Sequence, residues 1–470
     1  MKKTLVLVTA AAVLACSAFA SEEKPLPKDL PPFGADKPLP VPPIDASKTP
    51  EGMTVWLVKR PGFPKISAVL VVRGGTAADP KGLEGVSELL AEAVKNGTPT
   101  RTSKKIAEEL QAAGADIATN AGTDSISLNV DGLATGTDRM LAILADLARN
   151  ASFPADEVKL AQANAIQGLQ ARMSTPEFLA GKAFAKAVYG DHPYHVTAPT
   201  PDVIQAATPD VLKKEFARRF RPERALLVVV GDFDLASAKK TISTAFSGWK
   251  VSGEGAPATP EGPAAGSARR IFLVERPGSV QSQIVVGRPG PKANDPDYYP
   301  ALVANTIFGG SFGSRLTKNI REEKGYTYSP GANVQAREKG GLLRVRADVR
   351  NDVTGASLNE IFYELDRMGT TKPTEEEITT AKRYQSGLYL LRNQIQAAVA
   401  NLLAANWVNG LPPEALAEFV PKVNGVTVDQ IRKVGRTLFT SGTQTVVVVG
   451  DAAKVKEEAG QFGSVTEVKP

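Results

Sequence analysis

The chain has 470 residues, of which 42% are hydrophobic, and a formal net charge of +6. Its length and composition are typical of a globular protein with two or three domains. So small an excess of positive charge on so long a chain argues against nucleic-acid binding, which requires a basic stripe or a recognised reader motif.

The first twenty residues have the pattern of a secretory signal peptide. Lys2 and Lys3 precede a short apolar run, and an A-x-A-like cleavage site ends at Ala20. Cys16, the only cysteine, lies in "VLAC", which resembles a lipobox whose cysteine becomes lipidated. We therefore expect export to the periplasm, either as a soluble protein cleaved after Ala20 or as a lipoprotein anchored at Cys16.

Two segments of biased composition divide the remaining chain. Residues 21–50 are rich in proline and predict an extended spacer. Residues 252–269 are rich in Gly, Pro, Ala and Ser and predict a linker. This division predicts an N-terminal unit at residues 51–251 and a C-terminal unit at residues 270–465.

The segments on either side of the linker are related at a constant spacing. Residues 208–232 resemble residues 427–451, and both ends of the match differ by 219 positions (427 − 208 and 451 − 232). Pro154 and Pro373 have the same spacing (373 − 154). One register that persists over about eighty residues indicates an internal duplication.

Each unit combines strand patterns with long amphipathic helices. The segment "SISLNVDGL" alternates apolar and polar residues, whereas "ALLVVVGD" is apolar almost throughout and follows a helix. Strands with one polar face favour an antiparallel sheet covered by helices on one side over a doubly wound sheet. The predicted fold class is α+β, with two tandem homologous units.

The stretch "GVSELLAEAVKNGT" predicts an amphipathic helix with one apolar stripe. Glu84, Glu88 and Glu92 follow one another at four-residue spacing on another face. Two such carboxylates suit calcium or magnesium better than zinc, but no further cluster of oxygen ligands accompanies them. A solvated or partner-facing pair is therefore the preferred interpretation of Glu88 and Glu92.

The longer segment "GGTAADPKGLEGVSELLAEAVKNGTPT" resembles the zinc-helix region of the insulinase and pitrilysin family, the inverzincins, which include the mitochondrial processing peptidases. In that family an H-x-x-E-H helix supplies two histidine ligands and a glutamate base. Here Glu88 and Glu92 occupy the histidine positions and Ala91 that of the base. The family's third ligand is a glutamate on a later helix, and residues 159–176 contain no acidic residue. The resemblance thus implies a degenerate motif without metal.

In the second half, "FGGSFGSRLTKNIREEKGYTYSPGA" resembles the family segment that brings an arginine and a tyrosine to the substrate. The resemblance assigns these roles to Arg321 and Tyr328. A guanidinium and a phenol can bind peptide carbonyls and, beside a zinc ion, stabilise an oxyanion. Alternatively, Arg321 is a surface arginine paired with Glu322 or Glu323. The glycines lack the Gly-Lys-Ser/Thr of a phosphate loop, so nucleotide binding is not expected.

The only two histidines, His192 and His195, occur in "YGDHPYH". Their H-x-x-H spacing suggests zinc, but two ligands and an aspartate on a proline-containing loop do not complete a site. The family has a similar turn that orders a loop and binds no metal, so a structural role is preferred.

The resemblance covers about residues 51–460 and implies a processing-peptidase-like clamshell. The favoured function is the zinc-less subunit of an exported heterodimeric peptidase, in which an H-x-x-E-H partner supplies zinc and this chain contributes Arg321 and Tyr328 to bind an extended peptide. The alternative is a non-catalytic peptide-binding or scaffold protein of the same fold, and a homodimer without catalysis stays open. In the favoured interpretation the chain is inactive alone and active only with a zinc-bearing partner.

Overall fold

The computed structural model of the chain describes residues 42–251 and 253–469. The predicted signal peptide, with Cys16, and the first part of the predicted spacer lie outside the described residues. Within the described ranges, no helix is both long enough and apolar enough to cross a membrane.

The N-terminal unit folds around a six-stranded sheet with the strand order β1-β2-β6-β3-β5-β4. Every neighbouring pair is antiparallel except β2 with β6. The strands are β1 (Ile44–Lys48), β2 (Thr54–Lys59), β3 (Lys65–Arg73), β4 (Asp116–Ala121), β5 (Ser125–Leu133) and β6 (Ala225–Gly231). The helices are α1 (Val86–Ala93), α2 (Ser103–Ala112), α3 (Thr137–Asn150), α4 (Ala155–Met173), α5 (Pro176–Tyr189), α6 (Pro201–Ala206), α7 (Pro209–Arg219) and α8 (Leu235–Ala245).

The C-terminal unit contains a second six-stranded sheet, ordered β12-β7-β11-β8-β10-β9. Strand β7 runs parallel to both β11 and β12, and the other pairs are antiparallel. The strands are β7 (Arg270–Glu275), β8 (Gln281–Gly290), β9 (Gly331–Gln335), β10 (Gly341–Arg350), β11 (Thr445–Gly450) and β12 (Val465–Val468). The helices are α9 (Tyr298–Phe308), the one-turn α10 (Arg315–Thr317), α11 (Thr354–Thr370), α12 (Glu375–Arg392), α13 (Gln396–Val408), α14 (Ala415–Asn424), α15 (Val428–Leu438) and α16 (Ala452–Gly460).

This architecture confirms the α+β class and the two tandem units. The sheets are mixed, although antiparallel pairs predominate. All residues of the central strands β6 and β11 are buried, and each of these strands has one parallel neighbour. A strand covered on both faces is the kind that tolerates parallel pairing. Residues 44–48 of the predicted extended spacer form strand β1. Their backbone pairs along β2, so this part of the spacer belongs to the N-terminal sheet.

The strand registers of the two sheets are equivalent. In the N-terminal sheet Val229 of β6 pairs with Ala68 of β3, and in the C-terminal sheet Val448 of β11 pairs with Ile284 of β8. The first members are 219 positions apart (448 − 229) and the second members 216 (284 − 68). The second unit therefore has three more residues between these strands, and its helix α11 has 17 residues where the equivalent α3 has 14.

Each unit covers part of the other unit's sheet with one helix. Helix α13 packs on β3 and β6 of the N-terminal sheet, and α5 packs on β8 and β11 of the C-terminal sheet. Leu403 of α13 contributes to a buried cluster with Val69 and Val228. Phe184 of α5 occupies the corresponding cluster with Val285, and it lies 219 positions before Leu403 (403 − 184). We refer to α5 and α13 as the exchanged helices.

The packing of α13 predicts a large loss of stability when its buried face is truncated. Leu403 is fully buried, so Leu403→Ala should lower the free energy of unfolding by about 2–5 kcal/mol. The matched control is Leu391→Ala at the end of α12, where the side chain is 61% exposed and the expected change is within about 0.5 kcal/mol. Urea denaturation measures both, and equal losses would contradict the exchanged packing.

Candidate functional site

Helix α1, which carries the degenerate zinc motif, begins at a constrained glycine. Gly85 has a φ of 93°, and a Cβ atom there would lie 2.5 Å from the backbone nitrogen of Pro199. Both features disfavour any other residue. The Gly85 amide also donates to Oδ2 of Asp79 at 2.7 Å. The start of the motif helix is therefore fixed.

A buried ionic network holds Asp79 in place. The Arg219 guanidinium lies 2.7 Å from Oδ1 of Asp79, and both side chains are almost completely buried. Arg219 also donates to the carboxylate of Glu215 and to the carbonyl oxygens of Gly74 and Ala78. Burial raises the pKa of Asp79 to about 6, although Arg219 acts in the opposite direction. The chain thus retains a rigid support beneath the motif helix.

Each carboxylate at a histidine position of the motif has a cation of this chain beside it. Arg172 of α4 lies 3.3 Å from Glu88, and Lys95 lies 2.9 Å from Glu92. Burial raises the pKa of Glu88, and the nearby Arg172 opposes that rise. Ala91, at the base position, is buried in the core of the N-terminal unit.

These residues do not fit a zinc ion. Zinc in proteins takes at least three nitrogen, sulfur or oxygen ligands in a near-tetrahedral arrangement. Glu88 and Glu92 are already paired with cations, and helix α4 presents Arg172 to the motif where a further acidic ligand would be needed. Among residues 42–251 and 253–469, no group of three or more His, Cys, Asp or Glu side chains could hold a metal ion.

The two histidines belong to a turn at the junction of the units. His192 Nδ1 accepts from the Tyr194 amide at 3.1 Å, and His195 Nδ1 lies 2.9 Å from the carbonyl oxygen of His192. The buried Tyr194 hydroxyl donates to Asp124 at 2.8 Å and accepts from the Lys339 amide at 2.9 Å. Burial, and then Asp124, raise the pKa of Tyr194. The contacts give this turn a structural role, joining it to the segment before β10.

Arg321 lies on an irregular segment that follows α9. A glycine-rich loop at residues 309–313 leads through α10 into the π-helical segment Lys318–Glu323. Segments of π-helix are rare and occur frequently at functional sites. A Cβ atom on Gly310 would lie 2.6 Å from Nδ2 and 3.0 Å from the carbonyl oxygen of Asn305, so glycine favours this close approach of the loop to α9.

Polar contacts attach this irregular segment to two neighbouring helices. Arg315 donates to both carboxylate oxygens of Glu377 on α12, at 2.6 and 2.9 Å. Asn319 donates to Glu364 on α11 at 3.0 Å. Bidentate guanidinium–carboxylate pairs restrict orientation as well as distance. The backbone that carries Arg321 is therefore held on both sides.

The Arg321 guanidinium contacts two exposed aromatic rings. Its central carbon is 4.4 Å from the ring centre of Phe312 and 4.8 Å from that of Tyr328. Contact with aromatic faces positions a guanidinium while its in-plane N–H groups stay available. Among the described residues no carboxylate forms an ion pair with Arg321, so the alternative pairing with Glu322 or Glu323 is not observed. The structure therefore brings the predicted Arg321 and Tyr328 together.

Arg321 and the two rings form part of a pocket of about 500 Å³. Arg344 and Arg346 of β10 and Tyr384 of α12 also line it. The sequence prediction missed these three residues, as well as Phe312. The Arg-Val-Arg pattern could have identified two of them, because residues two apart on a strand share a face.

Two sequence families match the chain. Residues 54–201 match the family described as Insulinase (Peptidase family M16), and residues 206–384 match the one described as Peptidase M16 inactive domain. Together these matches cover more than half of the chain. The chain belongs to the insulinase family, M16. It is a member that lacks the zinc motif, since Glu88, Ala91 and Glu92 stand at the motif positions.

Curated relatives of this M16 chain are similar over nearly their whole length. An "Uncharacterized zinc protease" of Rickettsia felis is 24% identical over 410 residues, which are 86% of this chain and 97% of the relative. The "Uncharacterized zinc protease YmxG" of Bacillus subtilis is 22% identical over 401 residues, or 83% and 94% of the two chains.

Solved structures show the same M16 fold. A peptidase M16 inactive domain from Pseudomonas fluorescens superposes with a TM-score of 0.80 at 23% identity, covering 87% of this chain and 98% of that one. A protease from Helicobacter pylori gives a TM-score of 0.82 at 17% identity, covering 87% and 100%. At these identities the likeness concerns the fold alone.

The ion-paired motif predicts that this M16 chain does not retain zinc. Elemental analysis of the purified protein after dialysis against zinc-containing and then zinc-free buffer should give far less than one zinc per chain, because Glu88 and Glu92 face cations. An H-x-x-E-H relative treated in parallel is the control. One zinc per chain would contradict the conclusion that the residues around Glu88 and Glu92 cannot bind zinc.

Proposed function

We propose that this chain is the zinc-less subunit of an exported heterodimeric peptidase. In this proposal the chain binds an extended peptide and helps to stabilise the oxyanion through Arg321 and Tyr328. A partner chain with an intact H-x-x-E-H motif provides the zinc ion, the attacking water and the base. The names of the relatives, which call them zinc proteases, support the availability of such partners within the family.

The observation that carries the proposal is the contact of the Arg321 guanidinium with two exposed aromatic rings. Phe312 and Tyr328 hold it without an ionic partner among the described residues, so its N–H groups remain for carbonyl or oxyanion oxygens. Tyr328 is 80% exposed, and its hydroxyl can donate to the same ligand. Donors fixed before the reaction stabilise developing charge without a reorganisation cost. A purely structural arginine would not need two exposed aromatic partners.

The exchanged helices favour a cleft between two chains. Separation of the two units of this chain would uncover the apolar sheet faces beneath α5 and α13. Burial of apolar surface stabilises by roughly 25 cal/mol per Å², so this opening is strongly opposed. A substrate chamber is therefore more readily formed by this chain and a partner that closes over its pocket.

The free edge of the N-terminal sheet favours the alternative function, peptide binding without cleavage. Strand β4 is the last strand of that sheet and pairs only with β5 among the described strands. An extended peptide can add to such an edge through main-chain hydrogen bonds. This alternative needs no partner, and it predicts peptide binding without turnover.

The proposed periplasmic location rests on the first twenty residues. If "VLAC" is a lipobox, Cys16→Ser should move the protein from the membrane fraction to the soluble fraction. If cleavage follows Ala20, Cys16→Ser should leave a soluble periplasmic protein unchanged. Fractionation of cells that express each form distinguishes the two routes. Retention of both forms in the cytoplasm would refute export.

Substitutions of Arg321 and Tyr328 test the catalytic proposal in the reconstituted complex. Arg321→Ala and Tyr328→Phe should each lower the turnover of a peptide by about 10²- to 10³-fold, roughly 2.7–4 kcal/mol, because each removes a donor to transition-state charge. Arg321→Lys should restore only part of the rate, since an ammonium group lacks the planar fork. Peptide cleavage gives the rates, and gel filtration confirms assembly.

The matched controls for these variants lie at the degenerate motif. Glu88→Ala and Glu92→Ala also remove a charged side chain from a partly exposed ion pair, yet they should leave turnover nearly unchanged. Full activity in the Arg321→Ala, Tyr328→Phe double variant would instead assign the chain a scaffold role.

A further inference from the structure

The pocket beside Arg321 carries only positive charge in its wall. On β10 the side chains of Val345 and Ala347 enter the core, while Arg344 and Arg346 lie on the opposite face and line the pocket. With Arg321, the pocket lining contains three charged residues, and all three are arginines. Among the described residues that line the pocket there is no carboxylate.

Neighbouring groups neutralise this charge only in part. Glu177, at the start of α5, lies 3.1 Å from Arg346, but the two side chains are 73% and 57% exposed, so water screens the pair. Arg344 forms no ion pair or side-chain hydrogen bond with any described residue. Burial lowers its pKa, and the like charges of Arg346 and Arg337 act in the same direction while Glu177 opposes them. A half-buried guanidinium without an ionic partner is stabilised when an anionic ligand binds to it.

The fold does not require arginine at these positions. Ala347 pairs with Ile284 in the C-terminal sheet, as Val130 pairs with Ala68 in the N-terminal sheet. Because these pairs are equivalent (347 − 130 = 217), Ser127 corresponds to Arg344 in the duplication, and Asn129 corresponds to Arg346. The same strand of the same fold therefore forms with small uncharged side chains in one unit and with two guanidiniums in the other.

We propose that this pocket binds the carboxylate of an acidic residue in the peptide whose backbone Arg321 and Tyr328 hold. The inference rests on the proposed function and names the substrate class of the same site. A guanidinium fork matches a carboxylate in a bidentate manner, and Arg344 has no such partner in the chain itself. The pocket volume of about 500 Å³ leaves room for a glutamate side chain. Peptides with acidic residues would thus be preferred over neutral or basic ones.

Binding to the purified full chain tests this preference without a catalytic partner. The probes are fluorescein-labelled peptides of about ten residues that differ only by Glu or Gln at a central position, each with a free or an amidated C-terminus. Amidation separates a side-chain carboxylate from the terminal one. We expect the amidated Glu peptide to bind at least about tenfold more tightly than the amidated Gln peptide at moderate salt, as for a charge-assisted hydrogen bond.

Two arginine substitutions and one control show which residues cause the preference for the Glu peptide. Arg344→Gln should abolish the preference for Glu, and Arg346→Gln should reduce it. The control is Arg350→Gln, on the same strand but outside the pocket, where the arginine pairs with Asp352 at 3.2 Å. It should keep the full preference. Thermal melting of each variant verifies folding, and Arg344→Glu provides a second test because it should favour a Lys peptide over the Glu peptide.

The possible outcomes are distinct. Equal affinity for Glu and Gln peptides, no binding of either, or a preference that survives Arg344→Gln together with Arg346→Gln would each overturn the proposal. Tighter binding of free than of amidated peptides, equal for Glu and Gln, would assign the pocket to the terminal carboxylate and overturn the side-chain preference. None of these results decides whether the chain contributes to cleavage, which depends separately on turnover in the Arg321→Ala variant.

Discussion

The exchange of α5 and α13 between the two units is the constraint on which the rest of the structure depends. Phe184 and Leu403 occupy equivalent positions and fill the outer faces of the opposite sheets. Each sheet is therefore covered by its own helices on one face and by a borrowed helix on part of the other. On that second face Ser127 and Asn129 of β5 and Arg344 and Arg346 of β10 remain half-buried or exposed, and they provide a surface on which a ligand can be bound.

The same exchange places the corner between α4 and α5 next to both the degenerate motif and the pocket beside Arg321. Arg172, near the end of α4, pairs with Glu88 on the motif helix, and Glu177, at the start of α5, pairs with Arg346 on β10. Partly exposed pairs of this kind stabilise a protein by no more than about 1 kcal/mol each. Their main consequence is local, because Arg172 places a cation beside the motif, where a zinc site would need acidic or imidazole ligands.

Much of this organisation could be predicted from the sequence. The constant spacing of 219 positions, visible from Pro154 to Asp451, revealed the duplication, and the strand registers confirm it. Glu88, Ala91 and Glu92 stand where the family has its histidines and glutamate, which indicated that the zinc ligands are lost. The family matches support a zinc-less member. Arg321 and Tyr328 were identified from a family spacing, and the structure brings their side chains together.

Other features depend on contacts between residues far apart in the chain. The pairing of Arg172 with Glu88 joins α4 to α1 across 84 positions, and no local pattern encodes it. The helix exchange requires apolar residues on several faces, and the sequence of α13 is apolar enough to pack in many ways. The parallel neighbours of β6 and β11 were missed because an apolar run indicates burial and not strand direction.

The central claim is that this chain completes the active site of a zinc-bearing partner. The most direct measurement is a titration of the purified H-x-x-E-H partner with this chain, monitored by cleavage of an extended peptide at fixed partner concentration. The account predicts little cleavage by either protein alone and a rate that rises linearly and saturates at one chain per partner. A partner that cleaves the peptide equally fast without this chain would contradict it.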